Sequence, residues 1–152
     1  MRPEDARRFL EIQSAAVRGL AAKDYPPSVI EAWASSTGEH VVERFLANSD
    51  QELRLIAEID GQPVGIGAIV VASSELRACY VAPDAARRGV GTAIVAEIER
   101  IARDRQLDHL HLEASITAEP FYLALGYRVE SRHAFALRSG VSMAAVQMRK
   151  HL

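Results

Sequence analysis

The chain has 152 residues, 49% of them hydrophobic and 25% charged, with a formal net charge of −2. That is enough apolar chain for one packed core, and it lacks the basic excess of a general nucleic-acid binder, so no nucleic-acid partner is expected. The single cysteine, Cys79, excludes an internal disulfide, and the absence of a long apolar run or a secretory pattern gives the expectation of a cytoplasmic protein with no membrane partner.

The N-terminus reads as a helix: Pro3, Glu4 and Asp5 suit a first turn, and Ala6, Phe9, Gln13, Ala16, Val17 and Leu20 trace one face. Pro26-Pro27-Ser28 breaks the chain and opens a short helix carrying Val29, Ile30 and Trp33. His40 to Ala47 is a third helical stretch, with Val41, Val42, Phe45 and Leu46 expected to face inward. Tyr25 and Trp33 read first as core aromatics and second as the wall of a site.

Leu53 to Ile59 alternates as a strand, Asp60-Gly61 is a hairpin signal, and Val64 to Ala72 is a second strand. Gly65 and Gly67 inside it point to a bulge or to a close approach of another backbone. A third strand, running to Val81 and ended by Pro83 and Asp84, holds Cys79, which reads as a small buried side chain rather than a nucleophile. Arg87-Arg88 and Gly89-x-Gly91 follow, and a long helix starts at once and ends near Gln106, with Ile94, Val95, Ile98, Ile101 and Ala102 on its apolar face.

Strand, glycine loop and helix start form an anion site: the main-chain N–H groups and the positive end of the helix dipole face a ligand, and two arginines strengthen the preference for phosphate. The chemistry points to a pyrophosphate. The bland alternative is a turn that lets a helix leave a strand. A Rossmann fingerprint needs a third small residue directly after the strand, and a Walker loop needs Gly-Lys-Ser/Thr; neither is present.

His109 to Ser115 reads as a fourth strand, parallel to the third across the intervening helix. A short helix capped by Thr117 and stopped at Gly126 comes next, and two strands, Tyr127 to Leu137 and Val141 to Met148, close the chain. His109, His111, Glu113 and Ser115 share one strand face. Imidazoles and a carboxylate there are conceivable zinc ligands, but no fourth ligand at fixed spacing accompanies them, so no metal is expected. No repeat or linker divides residues 1–152, which read as one domain.

Val81-Ala82-Pro83 with Ala86-Arg87-Arg88-Gly89-Val90-Gly91 resembles motif A of the GNAT superfamily of N-acetyltransferases, departing at Ala86, where the family usually has Gln or Arg. Ser115, Ala118, Phe121-Tyr122, Gly126 and Tyr127 resemble its motif B, and the likeness extends over about Leu53 to Met148. The resemblance implies an α/β (α+β) domain: a mixed, mostly antiparallel, splayed sheet flanked by helices. Family members usually begin with a strand ahead of the first helix, and none is read here. It implies acetyl-CoA as the acetyl donor and a primary amine, small-molecule or peptide, as acceptor. Cofactor contacts are implied for Tyr80, Val81, Arg87, Arg88, Gly89, Val90, Gly91, Thr92, Ser115 and Tyr122, with Tyr122 protonating the CoA thiolate. The base stays open among Glu113, His111, Glu75 and a relayed water, with Glu113 preferred. A non-catalytic acyl-CoA sensor and a nucleotide-binding module are the rival readings. The acidic balance mildly favours a cationic acceptor, and a homodimer through the late strands stays open.

Overall fold

The computed structural model describes every residue except Ser35. Its strands are β1 (Leu53–Ile59), β2 (Gln62–Val70), β3 (Glu75–Val81), β4 (His109–Ser115), β5 (Arg128–Ala136) and β6 (Ser142–His151), joined in one sheet of order β1-β2-β3-β4-β6-β5. Its helices are α1 (Ala6–Ala16), α2 (Pro27–Trp33), α3 (Glu39–Ala47), α4 (Val90–Asp104) and α5 (Glu119–Ala124). A 3-10 turn, Pro3–Asp5, leads into α1, and a π-helical turn, Val17–Ala21, extends it. Among the described residues no strand precedes α1, so β1 forms the edge of the sheet.

The hairpin signal works as its residues demand. Asp60 and Gly61 both take positive φ, 52° and 73°, the backbone a two-residue turn needs to match the twist of β1 and β2. Every strand pair is antiparallel except β3 with β4. Pairing of β4 with β6 continues to His109↔His151, which carries the last strand three residues beyond the expected Met148.

The two glycines of β2 mark a close approach. A Cβ at Gly67 would stand 2.5 Å from Ile94 Cγ2 and 3.1 Å from Ile98 Cδ1, and one at Gly65 would stand 2.7 Å from Val90 Cγ1. The α4 side chains therefore rest on bare backbone, and the register shifts occur beside the glycines, at Ala57/Glu58 and Ala68/Ile69. Ile94, Val95, Ile98 and Ala102 of α4 pack with Ile69, Leu110, Leu112, Ala114, Val146 and Met148 of the sheet. Each large aliphatic group so buried contributes about 1.5–3 kcal/mol. On the other face α1, its π turn and α2 bury Phe9, Ile12, Val17, Tyr25, Val29 and Ile30.

Two local expectations are corrected. Helix α3 buries none of its residues fully and Leu46 is 42% exposed, because α3 lies at the margin of the layer and touches it chiefly through Phe45. The Phe45 ring meets Phe9 at 4.8 Å and lies 3.6 Å under the Arg54 guanidinium. Thr117 does not cap α5: its hydroxyl donates to Asp24 Oδ2 at 2.7 Å, and the Ser115 hydroxyl accepts from the Ala118 N–H at 3.1 Å.

Gly67→Ala should destabilise the fold by about 1–3 kcal/mol, since the new methyl overlaps Ile94 inside a packed layer. In a chain of this length that is a fall of roughly 3–10 °C in melting temperature. An unchanged melting temperature would show that α4 can shift off β2 without cost.

Candidate active site

The site begins where β3 and β4 part. Their ladder holds a single register pair, Glu75↔His111, with the His111 N–H donating to Ser74 O at 3.0 Å; beyond it the strands diverge toward Val81 and Ser115. The Ala82 N–H donates across to Val64 O of β2 at 2.8 Å. Alternation along a strand then turns the main-chain groups of Cys79 and Val81 the other way, into the opening. By the same alternation the main chain of Glu113 and Ser115 lines its β4 side. The opening is an interruption of the sheet lined on both sides by unpaired main-chain groups.

At its mouth stands the start of α4. Gly89 takes φ +80° as the residue before the helix, with open space around it, so its requirement is conformational. Gly91 has a steric requirement: a Cβ there would meet the Phe121 ring at 3.2 Å. The first intrahelical bond runs from Ala93 N–H to Gly89 O, which leaves the N–H groups of Val90, Gly91 and Thr92 without helical acceptors. Arg87, itself at φ +64°, and Arg88 are exposed and enter no ion pair among the described residues. Two free guanidiniums, a helix N-terminus and unpaired N–H groups make this corner attractive to a phosphate.

Helix α5 carries Tyr122 into the same place from below. Phe121 packs on Gly91, and the Tyr122 ring meets Phe121 at 5.0 Å and Tyr127 at 5.5 Å. Burial pushes the Tyr122 phenol well above its ordinary range, with smaller contributions from Cys79, Tyr80 and Tyr127. The Cys79 thiol, 3.8 Å from Gly91 O, is likewise pushed up to about 12 by burial. Both groups are neutral at physiological pH, so Cys79 is no ready nucleophile.

On the opposite face of the sheet a cavity of about 930 Å³ opens between the sheet and α1–α3. Tyr80, Trp33, Glu113 and Ser115 line its end at the opening. Trp33 Nε1 donates to the Tyr80 hydroxyl at 3.3 Å, so the Tyr80 side chain belongs to this cavity and not to the phosphate corner. The three acid–base candidates have different surroundings. Glu75 is gripped through both oxygens by Arg77, at 2.6 and 2.7 Å. His111 Nε2 is bonded to Ser73 O at 2.9 Å. Glu113, partly exposed, has His133 Nε2 at 3.1 Å. The His109, His111 and Glu113 side chains thus engage separate partners, and no group of three metal-ligating side chains is found among the described residues.

This architecture has close counterparts. A family model described as acetyltransferase (GNAT) domain matches residues 21–152. The chain belongs to the GNAT acetyltransferase family. A GCN5-related N-acetyltransferase from Rhodopseudomonas palustris is 32% identical, superimposes with a TM-score of 0.91, and is matched over 100% of this chain and 92% of its own. The PaiA N-acetyltransferase of Thermoplasma acidophilum, solved with coenzyme A, shares the fold at a TM-score of 0.77 and 19% identity, over 100% of this chain and 96% of that one. The ribosomal-protein-S18-alanine N-acetyltransferase of Escherichia coli does so at 0.70 and 18%, over 99% and 90%. A search of curated proteins found no match.

Within this GNAT domain the structure gathers Val81, Arg87 to Thr92 and Tyr122 at one end of the opening and places Glu113 and Ser115 along its β4 side. One neighbour of the site, His133, has no signal in the sequence, and one aromatic does more than its sequence reading implies. His133 reaches Glu113 only because β6 lies between β4 and β5, a pairing with no local signal. Tyr25, which reads first as a core aromatic and second as a site wall, is buried, and its hydroxyl donates to Ala144 O at 2.6 Å and accepts from Ile116 N–H at 2.8 Å. That bridge ties the free end of β4 to β6 and to the α1–α2 connection, away from β3.

Tyr25→Phe leaves a main-chain N–H and a carbonyl without partners and should cost about 1–3 kcal/mol in urea unfolding. A loss below about 0.5 kcal/mol would mean that water replaces the hydroxyl and the bridge is dispensable.

Proposed function

We propose that this chain transfers the acetyl group of acetyl-CoA to a primary amine by direct attack. The observation that carries the reading is the convergence, at the interruption between β3 and β4 inside the sheet, of an unpaired main-chain ladder, a phosphate-attracting helix start and a buried phenol. The pantetheine arm, itself an amide chain, completes the ladder beside Val81 as an added strand would, and the pyrophosphate rests on Gly89 to Thr92 with Arg87 and Arg88 beside it. Ala86 adds no charge at its position, so the adjacent arginines supply it. Coenzyme A and acetyl-CoA in solved family folds support the donor assignment.

The chemistry follows from what these groups can exchange. The amine nitrogen attacks the thioester carbonyl, whose oxygen is polarised by a main-chain N–H at Val81, and the C–S bond breaks. Tyr122 gives its proton to the departing sulfur. A phenol held above its ordinary range is a poor acid in water, but the surroundings that raise Tyr122 also lift the neighbouring Cys79 thiol to about 12. A thiolate released in the same buried surroundings is a stronger base for the same reason, which favours its taking the phenol proton. Glu113 takes the proton that the amine must lose. Glu75 is gripped through both oxygens by an arginine and His111 does not line the cavity, whereas Glu113 does, with His133 behind it, which supports Glu113 as the base ahead of His111 and a relayed water.

Two measurements test this reading. In a thermal-shift titration acetyl-CoA and CoA, but not NAD or ATP, should stabilise the protein, by about 2.7 kcal/mol at a hundredfold excess over the dissociation constant. Arg87→Ala/Arg88→Ala should respond weakly. A shift with NAD or ATP alone would replace the acetyl donor with a nucleotide. Tyr122→Phe should lower turnover about 10²- to 10⁴-fold at nearly constant acetyl-CoA affinity, the range for loss of a general acid. Glu113→Gln, assayed beside it, should abolish the rise of rate with pH; full turnover in both variants would remove both assignments.

A further inference from the structure

The cavity on the acceptor side has charges distributed in a way that bears on what enters it. Four carboxylates line it: Asp50, Glu52, Glu75 and Glu113. Three of them form one network with two arginines. Arg77 holds Glu75 at 2.6 and 2.7 Å and Asp50 at 2.8 Å, and stands 3.6 Å from Glu52; Arg54 holds Glu52 at 2.6 Å and the Phe45 carbonyl at 2.7 Å. These acids are consumed within the wall. Asp50 is held below the ordinary carboxylate range first by its Arg77 hydrogen bond, with a smaller charge contribution from Arg138.

Two further guanidiniums line the same cavity. Arg44 projects from α3, and Arg138 lies in the turn between β5 and β6. Among the described residues neither makes a hydrogen bond or an ion pair. The lining therefore holds four carboxylates and four guanidiniums, and three of those carboxylates are engaged by Arg54 and Arg77. Glu113 lies beside the opening, and Arg44 and Arg138 are the lining guanidiniums left without a hydrogen bond or ion pair among the described residues. An exposed arginine is ordinarily a solvated one. Here two of them, from separate elements, line one concave space in which Arg54 and Arg77 already engage three of the acids, so their N–H donors are open to whatever fills that space.

We infer that the acceptor is an amine that also carries an anionic group, a carboxylate or a phosphate, held by Arg44 and Arg138 while its nitrogen lies at Glu113. This rests on the acetyl-transfer reading and names its substrate class. The acidic balance of the whole chain, which by itself favours a cationic acceptor, does not describe the cavity, because paired acids exert little net field on a ligand. Guanidiniums suit either anion through two parallel N–H donors. The end beside Trp33 and Tyr80 provides an apolar wall for the body of the acceptor.

The test is a panel of amino acids and aminoalkyl phosphates, each assayed against its neutral amide or alkylamine counterpart at saturating acetyl-CoA. The expected result is a preference for the anionic member of about tenfold or more in kcat/KM, the size a charge-assisted hydrogen bond confers. Arg44→Ala and Arg138→Ala should each bring that ratio toward one, chiefly through KM. The carboxylate and phosphate arms show which anion the wall prefers. Equal use of charged and neutral acceptors, or a ratio intact in both variants, overturns the inference and leaves acetyl transfer standing. Transfer to no member of the panel overturns the acetyl-transfer reading and this inference with it.

Discussion

The single pair that joins β3 to β4, Glu75 with His111, is the constraint on which the rest of this molecule turns. Strands that part after one register pair leave main-chain donors and acceptors exposed inside a sheet, which is tolerable only where something else occupies the gap. The surrounding structure holds the gap open. Tyr25 fastens the end of β4 to β6, and Asp24 fastens Thr117, so β4 is anchored on the side away from β3. On the β3 side, the antiparallel ladder with β2 continues to Val81, fixing the other lip.

The placement of α4 is the second consequence. Because Gly65 and Gly67 carry no side chains, the helix settles on β2 itself, and its N-terminus is carried to the mouth of the gap. Phe121 lies against Gly91, so the same contact that positions the helix start also positions α5 and Tyr122. A packing arrangement and a chemical one are here the same set of contacts. The dense layer of Ile94, Ile98, Leu110, Leu112 and Met148 makes that placement rigid, since close-packed interiors resist small displacements.

The two faces of the gap differ in character. On the α4 and α5 side it is apolar, which keeps the phenol of Tyr122 and the thiol of Cys79 neutral. On the α1 to α3 side it opens into a cavity with a network of paired charges, an aromatic wall and a carboxylate–imidazole pair. Donor and acceptor halves of a group transfer can thus meet from opposite faces of one sheet, through the only part of it where the strands do not close.

Local chemistry was readable in the residues themselves. Asp60-Gly61 can form few turns other than the one it makes, β4 alternates as a strand packed on one face does, and Val81 to Gly91 with Phe121-Tyr122 carries the family's glycine loop and tyrosine in order. A bulge and a close approach were the two readings of Gly65 and Gly67, and the structure has both: register shifts beside the glycines and the α4 side chains against them. Long-range facts had no local signal. That β6 inserts between β4 and β5, that His133 therefore meets Glu113, and that Arg77 reaches Asp50 are decided by strand order and side-chain reach. Thr117 illustrates the reason: its sequence position suits a helix cap, but Asp24, 93 residues away, offers its hydroxyl a charged acceptor. Sequence fixes which groups can bond, and the fold determines which of them come within reach.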